Sequence, residues 1–353
     1  MLPDSGLVAI SLFSGAGGLD LGVEQAGFTV AAAVEVDEDA AATMEKNFSG
    51  LASAVLRQDL SEVPTRELLR AAGLRGRERP ALLVGGPPCV AFSKSGFWLD
   101  WKRAGLDPKA GLLQTYARVL AEAKPAAFIL ENVAALSYDN RVSRPAWRGL
   151  AQAIEDAGYQ WRAGVLNAAD YGVPQSRQRF FVVGVPRGRP LPELPAPTHC
   201  GMGEERLPQH VTAGEALHGL VRGPEPEEVV RGRWAHLVPQ VPPGDNYLFF
   251  TARRGCCQPV FEWRSRYWNF LLKLSPNSPS ATIQAQPGPN VGPFHWEDRR
   301  LRVGELKRLF TFPDDFVFIG SRRSTQRQVG NAVPPLLARR VAEAVMSAVP
   351  APA

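Results

Sequence analysis

The sequence predicts an α/β protein: a parallel sheet covered by helices on both faces, joined to a smaller, irregular domain. Two observations lead to this fold class. From residue 7 to about 190, short continuous apolar runs alternate with amphipathic helical patterns, which is typical of strands buried on both faces of a sheet. After a Pro-rich stretch near residue 190, scattered Pro, Gly, Arg and aromatic residues replace this alternation.

Each apolar run predicts one strand, and glycines or acids end most of the runs. In chain order they are LVAISLF, FTVAAAVE, SAVLRQD, ALLVGG, AAFILEN and RFFVVGV. Between the last three runs lie two helical patterns, GLLQTYARVLAEA and PAWRGLAQAIEDAG. In the first of them, Leu112, Tyr116 and Leu120 share one helix face, which we expect to pack on the sheet.

The change in sequence pattern along the chain divides it into three segments. We predict a large domain at 1–191, a small irregular domain at 192–297, and a C-terminal segment at 298–353 that completes the large domain. Helical order returns in the last segment, where Leu337 and Val341 are spaced four residues apart.

Composition narrows the class of protein. Of 353 residues, 45% are hydrophobic and 21% charged, which is ordinary for a globular protein, and no apolar run nears the length of a membrane span. The four cysteines form no CxxC pair, so we expect neither a disulfide framework nor a metal site. The N-terminus lacks a signal-peptide pattern, and we expect a cytoplasmic protein without membrane contact. A net charge of +5 permits a polyanionic partner.

A glycine turn after the first strand predicts a ligand site at the carboxyl edge of the sheet. The turn, SGAGG, places Gly15 and Gly17 where a ligand can approach backbone amides, although glycines alone could merely let a helix pack on a strand. Glu35 and Asp59 end the next two runs, and a carboxylate there can bind ribose hydroxyls. A nucleoside is favoured over a dinucleotide, because the start of the helix carries Asp20 and no basic residue.

Reactive and basic side chains stand near the later strands. Cys89 follows ALLV in the rigid stretch GGPPC, and alone it could be a core residue, a metal ligand or a nucleophile. Glu131 follows AAFIL at the next comparable strand end. Arg177 and Arg179 precede the last strand and, two residues apart, are predicted to face one site. Together these four residues indicate a catalytic site.

Six stretches, in order, resemble the motifs of the DNA cytosine-5 methyltransferases, particularly the bacterial restriction-modification enzymes. They are LFSGAGGLDLG, GGPPCVAFS, ENV, QSRQRFFVVG, RRLRVGELKRLFTFPDDF and QRQVGNAVPPLLA. The resemblance implies a Rossmann-like, S-adenosylmethionine-dependent methyltransferase sheet, with a target recognition domain in the small irregular segment. One departure is Val90, where the family usually has Gln.

The resemblance also implies a role for each catalytic candidate. Cys89 would add as a thiolate to carbon 6 of cytosine, so that carbon 5 can attack the methyl group of S-adenosylmethionine. Glu131 would bind and protonate the ring N3, Arg179 would hold the cytosine O2, and Arg177 would support the site. The cofactor product would be S-adenosylhomocysteine, and no metal takes part.

By the same resemblance, two further sets of residues would bind the cofactor and the DNA. The cofactor-binding residues would be Phe13, Gly15, Gly17, Glu35, Val36, Asp59, Leu60, Gly86, Pro88 and Asn331. The DNA-binding residues would be Ser93, Ser95, Arg253, Arg254, Arg264, Arg266 and Thr282. Ser93 and Ser95 lie in a loop that would close over a flipped base, and the arginines are interleaved with aromatic residues.

We therefore expect a monomeric enzyme that methylates cytosine within a specific duplex DNA sequence and pairs with a restriction endonuclease. Two alternatives remain open: a cytosine-5 methyltransferase acting on tRNA, which shares these motifs, and a catalytically silent DNA-binding homologue. The long segment at 192–297 favours duplex DNA over tRNA. The presence of Cys89, Glu131 and both arginines argues against a silent protein.

Overall fold

The protein folds into two compact units, seen in a computed structural model. The structure describes residues 6–48, 54–88, 111–141, 143–201, 203, 206–220, 226–264 and 267–350. The first unit contains Met1–Asn167, Gln178–Pro197 and Ala332–Ala353, and the second contains Ala168–Arg177 and Thr198–Asn331. Five residues discussed above lie outside the described residues, namely Cys89, Val90, Ser93, Ser95 and Arg266.

The first unit is built on a seven-stranded sheet. The strands are β1 (Val8–Leu12), β2 (Thr29–Val34), β3 (Val55–Leu56), β4 (Leu82–Gly85), β5 (Ala127–Val133), β6 (Tyr159–Asn167) and β7 (Gln178–Pro186). Their order across the sheet is β3-β2-β1-β4-β5-β7-β6. The order reverses between β1 and β4, and in sheets of this kind ligands bind outside the carboxyl ends of the strands at such a reversal.

The sheet is mixed rather than wholly parallel. The pairings of β1 to β5 are parallel, as predicted, but β7 runs antiparallel to both β5 and β6. The strand β6 has no counterpart among the predicted elements. Residues 168–177, which join β6 to β7, are too few for the helical crossover that a parallel pair needs. As a result, β7 begins at the sheet edge where β5 ends.

Helices accompany the strands of the first unit, as predicted. This unit holds α1 (Gly18–Gln25), α2 (Glu38–Asn47), α3 (Thr65–Ala71), α4 (Leu112–Ala123), α5 (Ser143–Asp156) and α9 (Pro335–Met346). The two helical patterns read from the sequence correspond to α4 and α5. On α4, Tyr116 and Leu120 are fully buried, and the Tyr116 hydroxyl donates a hydrogen bond to the Ile129 carbonyl oxygen at 3.1 Å. Burial of each such side chain contributes about 1.5–3 kcal/mol.

The last helix of the chain packs against the first. A Cβ added to Gly22 of α1 would lie 2.5 Å from the Ala338 Cβ of α9 and 2.5 Å from the Pro335 carbonyl oxygen. The glycine therefore permits close backbone approach between the two helices. Pro335 stands at the start of α9, where its missing amide hydrogen costs no helical hydrogen bond.

The second unit is less regular. It holds α6 (Ala213–Leu217), α7 (Val303–Leu309), α8 (Arg322–Asn331) and 3-10 turns at Ala168–Tyr171, Pro226–Glu228, Ala235–Gln240, Tyr247–Phe250 and Ala252–Arg254. Its aromatic core includes Tyr247, Phe250 and Phe294. The unit differs from the predicted small segment, because it also contains 168–177 and 298–331. Helical periodicity identified the helices near the C-terminus but not the unit against which each one packs.

Among the described residues, no helix is long and apolar enough to cross a membrane.

Candidate active site

A carboxylate and a guanidinium meet where β5 ends and β7 begins. Arg179 Nε lies 2.8 Å from Glu131 Oε1, and the two side chains are only 12% and 10% exposed. The antiparallel register pairs Val133 with Arg179 and Glu131 with Phe181, so Glu131 and Arg179 are diagonal neighbours on one face. A parallel β7 would have placed Arg179 at the opposite sheet edge. Sequence reasoning predicted both residues, and the reversed strand explains how they meet.

The segment that leads into Cys89 is fixed beside this pair. A Cβ added to Gly86 would lie 3.0 Å from Glu131 Oε2, so glycine lets the backbone approach the carboxylate. Asn132 is 2% exposed, and its side-chain amide donates to the Pro87 carbonyl oxygen at 3.0 Å. This role of Asn132 was not predicted from the sequence, although the position of Asn132 directly after the candidate Glu131 could have indicated it. We call Gly86, Pro87, Glu131, Asn132 and Arg179 the catalytic edge.

Arg177 has surroundings quite different from those of Arg179. It is 1% exposed within the second unit, where its guanidinium donates to the carbonyl oxygens of Ile283, at 3.2 Å, and Gly330, at 2.6 Å. It also lies over the Phe310 ring, 5.0 Å from the centroid. The expectation that both guanidiniums face one site stays a prediction, since Arg177 belongs to the second unit and Arg179 to the first. Residue 177 precedes β7, so strand alternation does not apply to it, and long-range carbonyl partners determine its direction.

The stretch around Arg177 is held to a distant part of the second unit. The Ser176 amide donates to the Ser280 carbonyl oxygen at 2.8 Å, and the Thr282 hydroxyl donates to the Ser176 carbonyl oxygen at 2.8 Å. Gln175, which is fully buried, accepts a hydrogen bond from the Ile283 amide. Thr282, predicted to bind DNA, thus also fixes the segment that enters β7.

The glycine turn after β1 is built around a carboxylate. Glu35 accepts hydrogen bonds from the Gly15 amide at 2.7 Å and from the Asp37 amide at 2.8 Å, one on each oxygen. Phe13, Gly15 and Gly17 all have positive φ, at 54°, 57° and 82°. A Cβ on Gly17 would also lie 2.5 Å from the Phe48 ring, so both its conformation and its space require glycine.

The residues of this turn fit a nucleoside ligand. A carboxylate has about four lone-pair positions, so Glu35 can still accept a hydrogen bond from a ribose hydroxyl. Burial raises the pKa of Glu35, while the Asp37 and Gly15 amides oppose that shift. Beside Gly15, a Cβ would meet nothing within 4 Å, so the space next to the turn is open. Val36 is 65% exposed and offers an apolar surface to a flat ring.

The loop that follows β3 is held by hydrogen bonds from a side chain on α4. Asp59 is exposed and accepts hydrogen bonds from the Ser61 amide and hydroxyl at 2.9 and 2.7 Å. Leu60 is buried, and its carbonyl oxygen accepts a hydrogen bond from Arg118 at 3.1 Å. Arg118 also donates to the Val63 carbonyl oxygen at 3.2 Å. Sequence reasoning missed Arg118, because its partners lie on a distant loop.

Two further residues that are predicted to bind the cofactor are exposed. Pro88 is exposed after β4. Asn331 is exposed at the end of α8, where a Cβ on the preceding Gly330 would lie 2.4 Å from the Ala285 backbone. Asn331 belongs to the second unit, and its contact with a cofactor stays a prediction.

The second unit exposes aromatic rings beside arginines. Trp263 is 52% exposed, and Arg253 lies over its ring at 5.3 Å from the centroid. Arg264 lies 5.8 Å from the centroid of the exposed Tyr267 ring. Such exposure of large apolar groups is typical of an interaction surface. We call this region the arginine–aromatic surface; it comprises Arg253, Arg254, Trp263, Arg264, Tyr267 and Trp268.

Arg254 differs from its neighbour Arg253. One of its nitrogens lies 3.2 Å from both carboxylate oxygens of Asp245. The predicted DNA-binding arginines that the structure describes therefore differ in their surroundings, since Arg254 has a carboxylate partner and Arg253 lies over an aromatic ring. Within the described residues, no three His, Cys, Asp or Glu side chains are grouped as metal ligands.

Comparison with known proteins adds family relationships to this geometry. The model of the C-5 cytosine-specific DNA methylases matches residues 7–347. The Type II methyltransferase M.SacI of Streptomyces achromogenes is 47% identical over 368 residues, covering 96% of this chain and 93% of the relative. The Type II methyltransferase M1.HphI of Haemophilus parahaemolyticus is 33% identical, covering 96% and 87%.

Solved structures share the fold. A DNA modification methyltransferase encoded within a prophage of E. coli superposes with a TM-score of 0.68 at 24% identity, covering 97% of this chain and 99% of that one. The Dnmt2 methyltransferase of S. pombe superposes with a TM-score of 0.64 at 14% identity, covering 97% and 98%. At these identities the likeness shows the fold alone, which is that of the predicted methyltransferase sheet.

Proposed function

We propose a mechanism, a cofactor and a substrate from the premise that this chain belongs to the C-5 cytosine-specific DNA methylase family and is a DNA cytosine-5-methyltransferase. The proposal is that it methylates cytosine within a specific duplex DNA sequence through a covalent adduct with Cys89. The observation that carries it is the Glu131–Arg179 pair at 2.8 Å, beside the segment that leads into Cys89.

The catalytic edge is suited to bind a cytosine ring. Arg179 presents several N–H donors, so one guanidinium can meet the Glu131 carboxylate and also donate to the cytosine O2. Glu131 would accept a hydrogen bond from the exocyclic amine and give a proton to N3. That proton prevents negative charge from building up on the ring when a nucleophile adds to carbon 6. Because both side chains are nearly buried, these interactions are weakly screened by water.

Cys89 would supply the nucleophile. Its thiolate forms a bond to carbon 6, which makes carbon 5 able to attack a methyl group. Loss of the carbon-5 proton and breakage of the carbon–sulfur bond then release 5-methylcytosine and the thiolate. Asn132 and the two prolines before Cys89 would hold the backbone that aims this sulfur. Arg177 would act at a distance, by fixing the segment that enters β7.

S-Adenosylmethionine, when bound, supplies an electrophilic methyl group on a positively charged sulfur. Glu35 would bind its ribose hydroxyls, and the Phe13, Gly15 and Gly17 turn would allow close approach to the backbone. Val36 would cover the adenine ring, and Asp59 with Leu60 would contact its edge. Gly86, Pro88 and Asn331 complete the proposed cofactor set. The product is S-adenosylhomocysteine.

The arginine–aromatic surface would contact duplex DNA, as part of a recognition domain at 192–297. Arginines bind phosphates and read guanine edges, and exposed aromatic rings orient them. We assign the larger share of binding to Arg253 and Arg264, which lie over aromatic rings. Ser93, Ser95, Arg266 and Thr282 are further proposed DNA contacts. A flipped cytosine would then reach the catalytic edge.

A trapping experiment tests the covalent step. A duplex whose target cytosine carries fluorine at carbon 5 cannot complete the reaction, because fluorine does not leave as a cation. With S-adenosylmethionine present, the wild-type protein should form a denaturation-resistant protein–DNA adduct, and Cys89→Ser should form none while still binding the cofactor. Cys200→Ser, at a buried cysteine of the second unit, serves as the control and should form the adduct. An adduct with Cys89→Ser would overturn the mechanism.

A substrate comparison tests the rest of the proposal. Purified protein is incubated with S-adenosylmethionine and either duplex DNA or tRNA, and protected cytosines are located by bisulfite sequencing. Protection at one short sequence in duplex DNA is expected, and protection of tRNA alone would contradict the proposed substrate.

The Type II relatives support a proposal about the cellular role. We propose a cytoplasmic modification enzyme, paired with a restriction endonuclease and acting as a monomer. DNA from cells that express it should resist an endonuclease of the same sequence specificity, and light scattering should give the mass of one chain.

A further inference from the structure

Asp20 is a buried acid directly behind the cofactor turn. It lies in the first turn of α1, three residues after Gly17, and is 0% exposed. Neither of its carboxylate oxygens has a partner in hydrogen-bonding geometry among the described residues. Buried polar groups are nearly always satisfied by a partner, so an exception at a ligand site calls for a function.

Polar groups connect Asp20 with the Glu35 site. The Ser11 hydroxyl lies near the Asp20 carboxyl and accepts a hydrogen bond from the Ser14 hydroxyl at 2.8 Å. Ser14 immediately precedes Gly15, whose amide donates to Glu35. The buried acid and the proposed ribose-binding acid therefore lie on either side of one short turn.

Burial and neighbouring charges raise the pKa of Asp20 so far that its carboxyl is still partly protonated at neutral pH. Burial raises the pKa of Asp20 to about 7, Glu24 and Glu35 add to the effect, and Ser11 and the Asp20 amide oppose it. The charged groups on α9, which packs against α1, are Arg339, Arg340 and Glu343, and both arginines pair with Glu343 at 2.7 and 3.2 Å. No basic side chain is among the groups that act most strongly on Asp20.

We propose that Asp20 is a positioning residue that loses its proton to solvent when a positively charged cofactor binds, and so favours S-adenosylmethionine over S-adenosylhomocysteine. The inference rests on the proposed cofactor. A cation near a carboxyl favours the charged form of that carboxyl. The substrate form of the cofactor carries a sulfonium charge and the product form does not, so only the first should draw the proton away strongly. Coupling of this kind is reciprocal, so ionised Asp20 must also strengthen binding of the charged form.

Calorimetry in two buffers of different ionisation enthalpy measures the released protons directly. At pH 7, binding of S-adenosylmethionine to the wild-type protein should release a substantial fraction of one proton, and binding of S-adenosylhomocysteine should release less. Asp20→Asn should release less than the wild type, and its preference for the charged cofactor at pH 8 should fall by about tenfold for each pKa unit of coupling. Glu67→Gln is the matched control, since Glu67 occupies the same position in the first turn of α3.

The outcomes separate this inference from the proposed function. Failure of the wild-type protein to bind S-adenosylmethionine would overturn the cofactor assignment, and this inference with it. Cofactor binding whose proton release is unchanged in Asp20→Asn would overturn the inference alone. Asp20→Ser, which also removes the charge, repeats the measurement should the asparagine variant fold poorly, and it should show the same loss of proton release.

Discussion

The catalytic edge and the arginine–aromatic surface both contain arginines, but these are nearly buried in the first region and exposed in the second. In the catalytic edge, the Arg179 side chain is 12% exposed and pairs with a carboxylate that is equally shielded. On the arginine–aromatic surface, Arg254 is 58% exposed, and Arg253 lies over a ring that is itself half exposed. Buried charges interact strongly and need their partners, whereas exposed charges are screened by water and salt. The two regions should therefore respond differently to substitution and to salt.

The largest expected effect is that of neutralising the buried carboxylate. Glu131→Gln keeps the shape but removes the proton donor and the charge opposite Arg179, so methyl transfer should fall by about 10²–10⁴-fold. Single-turnover kinetics with saturating DNA would measure the chemical step. Glu155→Gln, at a residue bonded to Trp161 away from the edge, should leave the rate unchanged. A rate for Glu131→Gln close to that of the wild type would show that the edge works without general acid catalysis.

The second-largest effect is expected for Asn132, which holds the segment that leads into Cys89. Asn132→Ala removes the hydrogen bond to the Pro87 carbonyl oxygen, so the proposed nucleophile Cys89 should be less well positioned and the methylation rate should fall by about 10²-fold. Cofactor affinity, measured by calorimetry, should change little. Gln152→Ala removes an exposed amide bonded to Asp156 on α5 and serves as the control. An unchanged rate in Asn132→Ala would mean that the prolines alone fix the segment.

On the arginine–aromatic surface the effect should be smaller and should depend on salt. Arg253→Gln should weaken DNA binding by about tenfold and reduce the slope of log affinity against log salt by about one. Arg254→Gln should do less, because Arg254 is held by Asp245. Fluorescence anisotropy at several salt concentrations distinguishes the two. Equal losses of DNA affinity in both variants would show that the contact with Asp245 does not limit the contribution of Arg254.

The smallest expected effect is that of Asp20 on the pH dependence of the free energy of unfolding. The pKa of Asp20 is about 7 in the folded protein, above its value of 3.8 in the unfolded chain, so its contribution favours folding at low pH and is lost as the pH rises through 7. The free energy of unfolding should fall by about 1 kcal/mol between pH 6 and 8 through this group. Denaturant unfolding should show this fall in the wild type but not in Asp20→Asn. Identical pH profiles would exclude Asp20 as its source.

Local patterns predicted the strand ends and the residues placed there. Apolar runs identified β1, β2, β3, β4, β5 and β7, and with them Glu35, Glu131 and Arg179. They did not give the direction of β7, because direction depends on the length of the link from β6. They also missed Asn132, and they did not predict the partners of Arg177, because Ile283 and Gly330 are remote in sequence. Periodicity reports which face of an element is apolar, and it contains no information about which distant carbonyl a guanidinium will find.

The close fit of Gly22 against Ala338 has a consequence for folding during synthesis on the ribosome. The first helix is made long before its partner, because α1 precedes α9 by most of the elements of the fold. Until α9 emerges, the cofactor helix exposes a small-residue face that other nascent chains and chaperones can contact. Because the two helices are far apart in sequence, their docking closes a long loop of chain, which is a slow, late event in folding. Cofactor affinity should accordingly be among the last properties that the newly made enzyme acquires.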